Sequence, residues 1–158
     1  MSRLPTILLR TALALGGLFV LAFIIFVMPE VSEALVESFP PSFYIPVLAA
    51  MYLAALPFYF VLYQTFKLLY YIDVKKAFSE LSISALKKIK YASIVLAVLY
   101  VAILPLLYMM AQLEDAPGIL AIGIVITGSA IVIATFSAVL QMVLQSAVEM
   151  KEENDLTV

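Results

Sequence analysis

Four apolar runs constrain this chain more than any other feature. They cover about residues 4–28, 43–69, 91–111 and 119–144. A helix needs about 20 mostly apolar residues to cross a bilayer, and each run meets that length. None has Asp or Glu in its middle, and Arg10 and Lys67 lie near ends, where a long side chain can carry its charge to the headgroups. The composition is 65% hydrophobic and 13% charged, against about 45–50% and about 25% in a soluble domain. The expected fold is all-α, a single integral membrane domain over 1–158 built as a four-helix transmembrane bundle. The first run is longer than the 7–15 apolar residues of a signal peptide. It closes Phe26-Val27-Met28-Pro29 without a small-residue cleavage site. It is therefore read as a retained span, stopped by Pro29 and Glu30.

The charges set an orientation. If the N-terminus is inside, all nine Lys and Arg fall on one side: Arg3, Arg10, Lys67, Lys75, Lys76, Lys87, Lys88, Lys90 and Lys151. The opposite side holds the 29–42 connection and the 112–118 turn, which carry Glu30, Glu33, Glu37, Glu114 and Asp115 and no base. The positive-inside rule then predicts a multi-pass protein of the bacterial cytoplasmic membrane with both termini in the cytoplasm. Pro117 and Gly118 are expected to supply the turn between the last two spans.

Missing residue types exclude chemistry. With no Cys and no His there is no thiol nucleophile, no thiolate metal site and no imidazole base or ligand. No charged group lies at depth to serve a pump or a hydrolase. No enzyme activity, cofactor or metal is expected. A net charge of −2 also makes direct nucleic-acid binding an unsuitable role.

Within the spans, Gly123, Thr127, Ala130, Ala134 and Ala138 form a small-residue stripe, and Ala12 and Gly16 offer another. Small residues let helices approach closely in lipid. Packing inside one chain is the preferred role, and a homodimer seam is the alternative. The second and third runs share a pattern, with Leu48, Ala49, Tyr52, Leu56, Pro57 and Gln64 echoed by Leu96, Ala97, Tyr100, Leu104, Pro105 and Gln112. An inverted repeat would give this pattern, but chance recurrence in apolar text is the preferred explanation. Pro57 and Pro105 each remove a helical hydrogen bond, so kinks there are expected. Tyr52, Tyr59, Tyr100 and Tyr108 would then line a crevice for a small apolar ligand, or simply fill the core.

The connection over about 70–90 is the most patterned polar segment. Ser79 is placed to cap a helix, with Glu80 in its first turn and Phe78 and Ile83 at staple spacing. Leu81, Ala85, Leu86 and Ile89 suggest one apolar face, followed by Lys87, Lys88 and Lys90. A short amphipathic helix on the membrane surface is expected. Its lysines have three available roles: contact with anionic lipid, pairing with the acids of the 149–158 tail, or docking a protein. The candidate partner-binding residues are Lys75, Lys76, Lys87, Lys88, Lys90, Glu149, Glu152, Glu153 and Asp155.

The stretch Phe66-Lys67-Leu68-Leu69-Tyr70-Tyr71-Ile72-Asp73, with Lys75-Lys76-Ala77-Phe78-Ser79 and Leu86-Lys87-Lys88-Ile89-Lys90-Tyr91, resembles the bacterial family called domain of unknown function 2975, in its YoaS-like Firmicutes branch. The hairpin Asp115-Ala116-Pro117-Gly118 and the ending Glu153-Asn154-Asp155-Leu156-Thr157-Val158 fit as well. The resemblance covers essentially the whole chain. It implies a four-span membrane protein with no established catalytic residues. Family members are often encoded beside a small helix-turn-helix regulator, which implies a membrane partner that controls that regulator. A small-molecule binding or export component is the alternative, as is an accessory or immunity subunit of a membrane complex.

Overall fold

The structure is a computed structural model that describes residues 4–157; Arg3 and Val158, used above for orientation and for the tail, lie outside the described residues. It is helical, in the order α1 (Leu4–Ala22), a π-turn (Phe23–Val27), α2 (Met28–Ser38), α3 (Pro41–Asp73), α4 (Glu80–Leu113) and α5 (Pro117–Thr157). The first three segments form one rod, Leu4–Ser38, so four helices are long and apolar enough to cross a membrane. At 1.5 Å per residue, the 41 residues of α5 reach about 62 Å, roughly twice a bilayer's apolar core.

Pro29 does not stop the first helix. It occupies the first turn of α2, where a missing N–H costs nothing within the new segment. The ladder behind it accommodates the ring by widening. Met28 N donates to Phe23 O, five residues back, which is the signature of a π-bulge. The helix then continues to Ser38, and the expected 29–42 connection shrinks to Phe39 and Pro40 between helices. Pro57 and Pro105 lie inside uninterrupted helices. The π-turn therefore falls before Pro29, while neither Pro57 nor Pro105 breaks its helix.

Two of the turns have the same design. At the end of α3, Lys75 adopts φ 60°, Lys75 N donates to Ile72 O, and Lys76 N donates to Tyr71 O. At the end of α4, Asp115 adopts φ 51°, Asp115 N donates to Gln112 O, and Ala116 N donates to Ala111 O. Both are Schellman closures with a left-handed residue after the helix. The turn residue before α5 is thus Asp115; no glycine has a positive φ among the described residues, and Pro117 begins α5.

α4 is the central helix. Its buried residues run its full length, from Ser82, Ile83 and Leu86 through Tyr100 to Met110, whereas α1 buries only Gly17. α4 packs against α3 on one side and α5 on the other, while the first rod rests on α3. The α4–α5 seam uses the small stripe. A Cβ on Gly123 would meet Leu107 Cδ1 at 2.6 Å, and Thr127, Ala130 and Ser137 are buried. The Gly123–Ala130 part of the stripe therefore packs within the chain, while Ala134 and Ala138 line an open groove beside Ala97 and Val101. On the first rod the close approach is made by Gly17, whose added Cβ would meet Leu62 Cδ2 at 2.7 Å, whereas Gly16 has open space. Large side chains such as Phe19, Phe26, Leu56 and Phe136 point outward, as expected where the solvent is hydrocarbon.

The predicted surface helix is the first part of α4 and is continuous with the span. Ser79 caps it, accepting from Ser82 N at 3.5 Å. Its buried face is Ser82, Ile83, Ala85, Leu86 and Ile89. Of the expected apolar face, Ala85, Leu86 and Ile89 are buried while Leu81, like Phe78, is exposed; the face packs in the bundle instead of lying on lipid.

Candidate functional site

Two regions combine chemistry with geometry: an apolar gap inside the bundle, and the end of the bundle that carries the 74–79 turn, with the lysines beside it, and the acidic end of α5.

The gap comprises two compartments. The smaller, about 250 Å³, is bounded by Phe23 and Ile24 of the π-turn, Tyr52 and Phe58 of α3, Tyr100 of α4 and Ile126 of α5. The larger, about 370 Å³, is aliphatic, with Val27, Val31, Val47, Ile103, Leu107 and Ile122 among its walls. Phe23, Met51, Tyr100 and Ile126 belong to both. Tyr100 is buried, and none of the hydrogen bonds among the described residues engages its hydroxyl.

The six expected crevice residues do not share one site. Tyr52 and Tyr100 meet in the smaller compartment. Tyr59 instead clasps the first rod, its hydroxyl donating to Gly17 O at 2.8 Å. Pro57 lines an outward-facing groove with Lys88 and Tyr91. Tyr108 lies near Asp115 and Pro117 at the far end of the bundle, and Pro105 is exposed. Phe23, Met51 and Ile126 were not anticipated. For Phe23 the sequence signal was Pro29, two residues past the π-turn; Met51 and Ile126 carry none.

At the other region, Lys75, Lys76, Lys87 and Lys88 are exposed. Lys75 is held on the left-handed turn, and Ser82 Oγ donates to Lys76 O at 3.1 Å, which closes the 74–79 segment on itself. Lys90 is half-buried, with Nζ 4.8 Å from the Tyr91 ring centre. The tail is helical, because α5 runs on through Glu149, Glu152, Glu153 and Asp155, all of them exposed. The lysines and these acids form no ion pair among the described residues; the salt bridge there joins Arg10 and Asp73 at 2.7 Å, tying the first rod to the end of α3.

Residues 9–158 match the family model described as protein of unknown function (DUF2975). The chain belongs to that family. This DUF2975 protein is also 51% identical, over the full length of both chains, to the uncharacterized membrane protein YoaS of Bacillus subtilis (strain 168). No solved structure matches it. The family and the four apolar helices together make it a membrane protein.

Proposed function

We propose that this DUF2975 protein is a non-enzymatic membrane regulator whose lysine-bearing end faces the cytoplasm and docks a small basic protein. The helix-turn-helix regulators suggested by the family's gene neighbourhood have the required charge. One observation carries the proposal. Glu149, Glu152 and Glu153 recur at three- and four-residue spacing near the C-terminus of a helix that continues past its apolar segment, and Asp155 follows. Asp155, in the last turn, opposes the helix dipole at about 0.3–1 kcal/mol, and the glutamates repel one another at that spacing. Among the described residues no lysine forms an ion pair with them. A cationic partner relieves both penalties, and an acidic helix imitates the charge that a DNA-binding surface prefers. The absence of Cys and His, together with acids confined to span ends, supports a role in binding over one in catalysis.

Co-sedimentation of the neighbouring regulator with membranes tests this. A variant carrying Glu149→Gln, Glu152→Gln, Glu153→Gln and Asp155→Asn should release the partner, and raised salt should do the same to the wild type. Changing Lys75, Lys76, Lys87 and Lys88 to Gln should have the smaller effect, once insertion has been checked. Equal retention by wild type, both variants and membranes lacking the protein would refute docking.

A further inference from the structure

The first rod rests on α3 and leaves a gap towards α5, and the two compartments described above occupy it. We propose that this gap binds a neutral, ring-bearing carbonyl compound with a hydrocarbon tail, the chemistry of a prenylated quinone, admitted from the bilayer between the first rod and α5.

Three observations converge on that chemistry. Tyr100 is only 9% exposed, borders both compartments and has a hydroxyl that no described residue hydrogen-bonds. Counted from the start of the third apolar run at Tyr91, it lies about 14 Å into the span, near the middle of a bilayer core about 30 Å thick. Water is scarce at that depth, and a hydroxyl that borders an apolar gap without a protein partner is costly. An occupant with an acceptor oxygen at that level removes the cost. No Lys, Arg, Asp or Glu borders either compartment, so the occupant is neutral. The two compartments also differ in kind. Phe23, Tyr52, Phe58 and Tyr100 surround the smaller one, which suits a flat ring. The larger is walled by aliphatic side chains, which suits a tail. A phospholipid chain fits this less well, because its ester oxygens stay at the interface and leave the Tyr100 hydroxyl unpaired. The π-turn brings Phe23 to both compartments, in keeping with the frequent presence of such bulges at functional sites.

The site is independent of the docking surface, so either can fail without the other. The test uses the full chain in nanodiscs and a naphthoquinone with a short prenyl tail as probe. With nine Tyr and no Trp, quenching of tyrosine emission reports binding. Wild type should show saturable binding. Tyr100→Phe removes one hydroxyl and should weaken binding about fivefold, the worth of a typical hydrogen bond. Ile126→Phe fills the space common to both compartments and should abolish binding; if that variant does not fold, Met51→Phe serves in its place. The tail hydrocarbon without its ring should bind wild type and Tyr100→Phe equally. The same affinity for the quinone in all the proteins would overturn the proposal. So would native mass spectrometry showing a co-purified phospholipid that the quinone does not displace.

Discussion

Gly16 and Gly17 are adjacent on the first rod but face different surroundings, and replacing each by Ala measures how that rod is held. At Gly16 a methyl meets nothing within 4 Å. At Gly17 it meets Leu62 Cδ2 at 2.7 Å and Tyr59 Cε1 at 3.8 Å. Both substitutions gain the same helix propensity, about 1 kcal/mol, so that contribution cancels in the comparison. What remains at Gly17 is overpacking, about 1–3 kcal/mol. Leu62 can rotate its terminal methyl, which favours the lower half of that range. Any displacement also stretches the 2.8 Å bond from Tyr59 Oη to Gly17 O, and an interhelical bond in lipid averages about 0.6 kcal/mol. Gly17→Ala should therefore be less stable than Gly16→Ala by about 1–3 kcal/mol. The chain has no Trp, so Phe58→Trp, in a compartment shared with Val20 and Ile24, gives a single reporter of rod docking. Titration with SDS in mixed micelles yields the midpoints. Equal midpoints, or a larger loss at Gly16, would refute the packing of the rod on α3.

Two further outcomes are expected. Cysteines introduced at Ser32 and Pro117 should react with an impermeant thiol reagent added to whole cells, and one at Ser84 should not; labelling at Ser84 would reverse the proposed orientation. Pro29→Ala restores a backbone donor and removes the ring, so the widened turn should revert to α-helix with Met28 N bonded to Ile24 O. A structure of that variant that keeps the Phe23–Val27 turn would show that packing, not the proline, maintains it.

The lysine pattern and the tail acids were legible because exposed charge is governed by local solvation. Ser79 as a cap was legible because capping involves only a few consecutive residues. The turn chemistry was misjudged for a related reason. Pro117-Gly118 has the composition of a turn, but the left-handed position falls to Asp115, since helix closure depends on where the ladder ends. Leu81 has the four-residue spacing of the buried Ala85 and Ile89 and yet is exposed, because spacing does not say where a buried face ends. Only the contacts of α4 with its neighbours do.

The sequence by itself determined the membrane class, the four helices and the segregation of charge. Each follows from the transfer of single residues between water and hydrocarbon, a cost that accumulates along the chain regardless of what each helix touches. Tertiary structure decided that α4 is central, that Gly17 and not Gly16 takes the close contact, and that Phe23, Met51, Tyr100 and Ile126 surround a common gap. Inside lipid every apolar helix face is equally soluble, so hydropathy cannot choose among neighbours. Shape does: a missing side chain at Gly17 and Gly123, and an extra residue in the turn before Pro29, set which surfaces meet and where they part.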